Sequence, residues 1–231
     1  MNVAIFGATG MIGAGVLLEC LDDERVRSVL VVTRKSTGRR HAKLTEVIYQ
    51  SFFAYESLTP HFKRIDACFF CLGVSAAGKS EEQYHHLTYD LTLAAARALH
   101  AANPGAVFCY VSGMGTDSTE RGRVMWARVK GKTENALLGL GFKAAYMLRP
   151  GFIEPLRGVQ SSTRWYRAAY VVARPLFPLL RRLVPRHVTT TVNVGRAMIR
   201  LARGGFPGSI IDPADINALA AAEARSRSTV S

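Results

Sequence analysis

Short apolar runs rich in β-branched residues alternate, along the first two-thirds of the chain, with longer stretches whose apolar positions recur at helical spacing. NVAIFG (2–7), SVLVVT (28–33), LTEVIY (44–49), DACFFCL (66–72), AVFCYVS (106–112) and AAYMLRP (144–150) read as strands. The near-continuous apolar character of several of them is that of strands covered on both faces. MIGAGVLLECL (11–21), YHHLTYDLTLAAARALHAA (84–102) and VMWARVKGKTENALLGL (124–140) read as helices. Ser80 and Gln83 form a predicted capping box ahead of the second of these. This alternation predicts a parallel sheet with helices on both faces. Right-handed crossovers make it doubly wound, with a ligand crevice at the carboxyl ends of the strands.

After Pro150 the rhythm changes. Residues 155–187 are basic and apolar together, and Pro155, Pro175, Pro178 and Pro185 interrupt any long helix. TVNVGRAMIRLA (191–202) reads as a helix, SII (209–211) as a short strand and DPADINALAA as a final helix. The expected organisation is one α/β domain over residues 1–220, with 155–208 forming a small C-terminal helical cap lobe over the crevice. Residues 221–231 are expected to fray.

Composition narrows the function classes. At 231 residues, 48% of them hydrophobic, the chain can bury a core unaided. The formal charge of +13 favours anionic ligands. Its arginines are spread along the chain with small clusters at 34–40 and 181–186, and no recognition-module motif accompanies them, so no nucleic-acid partner is expected. No run of 18 or more apolar residues predicts a membrane span. The N-terminus lacks the pattern of a secretory signal, and a cytoplasmic location is expected. Cys68 and Cys71 make a C-x-x-C inside a predicted strand, which favours core cysteines over a redox or zinc pair, and no metal site is expected.

The candidate chemistry begins at the first strand-to-helix turn, GATGMIGAG. Gly7 permits a tight turn, Gly10 lets backbone N–H groups approach a pyrophosphate, and Gly13 allows close helix–strand packing. The helix N-terminus adds partial positive charge. The second strand ends VVTRKS, with Arg34 and Lys35 where an NAD site expects an acidic residue. Two cations there suit a 2′-phosphate, so NADP(H) is favoured over NAD(H). The fold class is therefore α/β, a Rossmann-type doubly wound parallel sheet.

GATGMIG, CLG at 71–73, VSGMG at 111–115, the Trp126/Lys130 helix and RPGFIEP at 149–155 together resemble the atypical branch of the short-chain dehydrogenase/reductase superfamily. VTTTVNVGRAMI is similar to the Tat-interacting oxidoreductase and bacterial epimerase-like relatives within it. The resemblance implies that Gly7, Thr9, Gly10, Met11, Ile12 and Gly13 cradle the pyrophosphate while Arg34 and Lys35 meet the adenosine phosphate. It further implies that Leu72 and Gly73 lie along the adenosine ribose and that Ser112 reaches the nicotinamide. Lys130 would bond the nicotinamide ribose, and Pro150, Gly151 and Phe152 would border the carboxamide. Ser112 and Lys130 are its candidate catalytic residues.

One departure matters. The family's acid is a tyrosine four positions before the lysine, and here that position holds Trp126, whose indole N–H does not titrate usefully. Three readings follow: a reductase whose proton comes from Tyr84, His85, His86, Tyr89, Ser112 or water; a non-catalytic NADP(H)-binding sensor or regulator; or a protein that docks on an anionic membrane through the basic segment 164–186. A lid over an apolar pocket for a small-molecule substrate is favoured over membrane docking for that segment. Adjacent His85 and His86 are expected to point apart on a helix, and Asp90 and Asp117 are assigned no role.

Overall fold

The computed structural model describes residues 1–159, 182 and 184–228. The basic segment 164–186, and with it most of the expected lid, lies almost wholly outside the described residues.

The predicted strands are β1 (Asn2–Phe6), β2 (Ser28–Thr33), β3 (Leu44–Ile48), β4 (Ala67–Phe70), β5 (Val107–Val111) and β6 (Ala144–Leu148). Two short strands, β7 (Phe152–Glu154) and β8 (Val188–Thr190), pair with each other, and β9 (Ile210–Ile211) completes the main sheet. The main sheet runs β3-β2-β1-β4-β5-β6-β9, and every pairing in it is parallel. The order reverses between β1 and β4, which opens a crevice at their carboxyl ends. The Rossmann-type fold read from the sequence is therefore the observed one.

The helices are α1 (Met11–Asp22), a short α2 (Thr59–Phe62), α3 (Glu81–His85), α4 (Leu91–Ala102), α5 (Met125–Leu138), α6 (Thr191–Gly204) and α7 (Pro213–Ser228). The Ser80/Gln83 capping box is present in both directions and starts α3. A π-helical turn, His86–Asp90, joins α3 to α4, a wider turn that hydrophobic periodicity does not reveal.

Alternate strand residues face opposite sides, which divides the core in two. Val3, Ile5, Val29, Val31, Phe69 and Cys109 pack under α1, α6 and α7. Ala4, Phe6, Leu30, Cys68, Phe70 and Phe108 pack under α4 and α5. A strand buried on both faces has no polar alternation, which is why these segments read as continuous apolar runs.

Two expectations about the C-terminal third change. Helix α6, inside the range 155–208 read as a cap lobe, lies against α1 in the main layer. A Cβ on Gly15 would come within 2.6 Å of the Thr191 side chain, and one on Gly195 within 2.9 Å of Glu19. Backbones that close need glycine at the crossing, and Val194, Ala197, Met198 and Leu201 of α6 are buried in the core. The frayed tail does not begin at 221, because α7 continues to Ser228. Glu223 is fully buried and pairs with Arg25, and the Arg25 guanidinium also reaches Ser226.

Candidate functional site

The glycine turn is built by close backbone approach. Gly7 has φ +81°, in the left-handed region, and a Cβ there would lie 2.6 Å from the Leu72 nitrogen. The chain leaving β4 thus runs directly against the turn. A Cβ on Gly13 would sit 2.1 Å from the Gly7 carbonyl oxygen, so the first turn of α1 presses on the same loop. Gly10 is the N-cap residue of α1, no side chain caps the helix, and no acidic residue occupies its first turn. The positive end of a 12-residue helix is therefore left to face the crevice. These features fit a dinucleotide pyrophosphate.

A cleft of about 780 Å³ opens beside this turn. It gathers Gly7, Thr9, Gly10, Arg34, Leu72 and Gly73 from the sequence-predicted set, and nothing lies within 4 Å of where a Cβ on Gly73 would be. Met11, Ile12 and Gly13 form the helical turn behind it, and Lys35 is exposed outside its lining. Sequence reasoning missed Gln50, Ser51, Phe52 and Phe53, the far wall contributed by the loop after β3. The aromatic pair FF just past a strand was the available signal. Arg34 is exposed on the cleft wall, and among the described residues no carboxylate pairs with it. Glu46 of β3 bonds the loop that follows Arg34 and is occupied in holding it. Its carboxylate accepts from the Ser36 hydroxyl at 2.6 Å and the Thr37 N–H at 2.9 Å. Its partial burial works against ionisation, and the Ser36 and Thr37 hydrogen bonds outweigh that to hold its pKa below the usual range. A second cleft of about 550 Å³ lies at the amino ends of β1 and β2, beside Asn2, Ser28 and Arg64, away from the crevice.

The other half of the crevice is organised by side chains. Lys130 on α5 donates to the Ser112 carbonyl at 2.6 Å, and its ammonium lies 5.7 Å from the Tyr110 ring centroid. Burial drives the Lys130 pKa down to about 8, against the pull of Glu134 one turn later. The Ser112 hydroxyl is turned inward: it lies 2.5 Å from a Glu134 carboxylate oxygen and 3.1 Å from the Leu148 carbonyl. Glu134 is fully buried and ion-paired with Arg149, which also donates to the Ser118 hydroxyl at 2.5 Å. Glu134, Arg149 and Ser118 were not read from the sequence, since they stand 15 or more positions apart and meet only through the fold. Trp126 packs its ring edge 3.5 Å from where a Cβ on Gly115 would stand, along the loop after β5. Pro150 is buried and accepts from the Met114 N–H at 3.0 Å, Gly151 lies against the His187 carbonyl, and Phe152 is exposed.

The other proton-source candidates scatter. Tyr84 is buried in the interior, and Tyr89 sits between the His85 ring and the Lys132 ammonium. His85 and His86 do not diverge as expected, because both reach Asp90, at 3.5 Å and 3.1 Å. The π-helical turn brings the two rings to one carboxylate, so Asp90 does have partners, contrary to its reading as a residue without a role. Asp117 accepts from the Thr119 and Gly122 N–H groups and shapes the loop before α5. Cys68 and Cys109 are fully buried; burial raises both thiols, and Cys71 up to about 12, as core cysteines should behave.

The profile of the NAD dependent epimerase/dehydratase family matches residues 3–121. The "Protein fmp52, mitochondrial" of Emericella nidulans is 30% identical over 73% of this chain and 75% of its own length. Among solved structures, the Bordetella bronchiseptica enzyme WbmF in complex with NAD+ superposes with a TM-score of 0.67 at 15% identity, covering 94% of this chain and 76% of that one. An ElxO variant with NADPH bound gives 0.64 at 15% identity, covering 90% and 94%. Other matched fungal relatives are also named mitochondrial, which overturns the expected cytoplasmic location. That expectation rested on the lack of a secretory signal and on cysteines read as reduced core residues, neither of which separates the cytosol from a mitochondrial location. With its glycine turn, switch-point crevice and parallel sheet, the chain belongs to the NAD dependent epimerase/dehydratase family of Rossmann-fold, NAD(P)-binding oxidoreductase-like proteins.

Proposed function

We propose that this chain is an NADP(H)-dependent oxidoreductase acting on a small molecule. The observation that carries the cofactor choice is Arg34, exposed on the cleft wall at the end of β2 without an acidic residue to bond a ribose 2′-hydroxyl. A guanidinium there can pair with a 2′-phosphate through two parallel hydrogen bonds. The turn Gly7–Gly13 with the first turn of α1 would hold the pyrophosphate, and Leu72 with Gly73 would flank the adenosine ribose. Pro150 to Phe152 would border the nicotinamide.

A bound nicotinamide supplies hydride transfer. The chain's part is to orient it and to hold a proton nearby, and Lys130 suits that role in place of the missing tyrosine. Its amine is anchored on the Ser112 carbonyl and shifted toward neutrality by burial. Ser112, with its hydroxyl engaged by Glu134, acts in this reading as part of the wall and not as a proton donor. The inward Ser112 and the tryptophan at the acid position favour one alternative, an NADP(H)-binding regulator without turnover.

Fluorescence titration of cofactor-stripped protein with NADPH and NADH tests the reading. NADPH is expected to bind more tightly, and Arg34→Ala to remove roughly tenfold or more of that preference while leaving NADH unchanged. Equal affinity for both nucleotides in wild type and variant would overturn it. Turnover with carbonyl substrates then separates the enzyme from the regulator.

A further inference from the structure

Among the described residues seven large hydrophobic side chains are exposed: Ile48, Phe53, Val74, Met114, Val124, Leu138 and Phe152. Six of them, all but Leu138, lie along the carboxyl edge of the sheet, where β3, β4, β5 and β6 end and α5 begins. Random surface hydrophobics do not gather on one rim, and a collected patch marks a binding surface. Phe53 and Val74 line the nucleotide cleft. Met114, Val124 and Phe152 do not; they stand on the half of the rim that carries Lys130.

These three are linked through their chain neighbours. The Met114 sulfur lies 3.5 Å from where a Cβ on Gly151 would stand, which places the thioether over Gly151 and next to Phe152. Gly115, the next residue, meets the Trp126 ring, and Val124 is the N-cap of the same helix. Met114 is 42%, Val124 51% and Phe152 51% exposed. Two polar groups nearby are already engaged, the Ser112 hydroxyl with Glu134 and the Arg149 guanidinium with Glu134 and Ser118. Lys130, half-buried and bonded to the Ser112 carbonyl, has a pKa lowered by burial to about 8.

We propose that Met114, Val124 and Phe152, edged by Trp126, form the substrate platform of this protein, and that its substrate is a small apolar carbonyl compound whose hydrocarbon body lies on the platform. This rests on the oxidoreductase reading for the carbonyl, while the apolar surface stands independently of it. A polar sugar nucleotide would lay hydroxyls and phosphates on a methionine, a valine and a phenylalanine, three side chains that offer them no hydrogen bond. The thioether and the phenyl ring instead adapt to hydrocarbon of varied shape. Continuity with the nucleotide cleft along one rim places the occupant beside a bound cofactor and not on a remote face.

The test uses the full chain and a neutral fluorescent probe, N-phenylnaphthylamine, because an anionic dye would answer to the +13 charge. Probe binding is measured with and without saturating NADPH, and decanone and UDP-glucose compete for it. The expected result is displacement by decanone and not by UDP-glucose, with the double variant Met114→Ser/Val124→Ser binding the probe about tenfold more weakly. Met114 and Val124 are exposed and neither is assigned to the cofactor, so the melting temperature and NADPH affinity of the variant should stay at wild-type values. Displacement by UDP-glucose, or wild-type probe affinity in the variant, would sink the proposal. So would a wild-type dimer that hides the probe site and is broken by the double variant, since the rim would then be an interface between copies. If NADPH fails to bind while the probe behaves as expected, the cofactor reading falls and the apolar platform stands.

Discussion

The two halves of the crevice solve different problems with different materials. At the glycine turn the wall is backbone: Gly7, Gly10 and Gly13 remove side chains so that strand, loop and helix can close on one another. At the Lys130 end the wall is a web of side chains, Ser112, Glu134, Arg149 and Ser118, bonded to each other around the buried Glu134 carboxylate. A pyrophosphate is recognised by N–H groups and a helix dipole, which any sequence supplies once bulk is removed. The second half must present a specific chemical group at a fixed place, which requires a supporting shell of side chains. The first half is thus generic to the family and the second is where this chain departs from it.

The comparison breaks most visibly at Glu134. Glu134→Ala leaves Arg149 facing a hole and removes the partner of the Ser112 hydroxyl, so a loss of about 3–5 kcal/mol is expected. Urea unfolding would measure it, and a loss below ~1 kcal/mol would show that the network is not what holds this half together. At the other half, Gly13→Ala forces a Cβ into the Gly7 carbonyl and should cost about 1–3 kcal/mol while abolishing NADPH binding. If Gly13→Ala binds NADPH like the wild type, the close backbone approach is not the basis of the cradle.

Smaller effects sharpen the contrast. Lys130 in the folded protein has its pKa lowered from 10.5 to about 8. Between those two values the unfolded chain holds a proton that the folded chain has released, so stability rises with pH across that window. The penalty is fully present below pH 8, where the folded protein also carries the charge. Lys130→Met removes the effect, and the urea midpoint of the wild type should gain on that of the variant as pH is raised from 8 toward 10.5. Parallel pH profiles would mean that the amine is not desolvated. Smallest of all, Trp126→Phe keeps an aromatic ring against Gly115 and should cost under ~1.5 kcal/mol. Turnover, once a substrate is in hand, should stay near the wild-type rate; a large loss at unchanged NADPH affinity would give the indole a chemical role.

Legibility followed the same divide. The strands, the first helix and Gly7, Gly10 and Gly13 were readable because each signal sits within about ten contiguous residues. Arg34 was readable as the end of a strand whose position in the sheet follows from the alternation of elements. Ser112 was found by family likeness, but the direction of its hydroxyl was not, because that depends on Glu134 standing 22 positions away. The His86–Asp90 contact is an i,i+4 pair that helical spacing already allows, whereas the His85–Asp90 contact, five positions apart, depends on the π turn. The place of α6 was misjudged for a related reason, since a helix rich in small residues does not say which neighbour it will approach.

By itself the sequence determined the class of fold, the switch-point crevice and the turn that faces it. Hydrophobic period and glycine spacing are local properties, and local geometry fixes them before any distant contact forms. Tertiary structure alone decided which polar groups face the crevice and which are consumed inside. It turned Ser112 and Arg149 inward onto Glu134, left Lys130 poised near neutrality, and set Met114, Val124 and Phe152 on one rim. The physical reason is that hydrogen bonding and desolvation depend on what surrounds a group in space, and these neighbours come from three separate stretches of the chain.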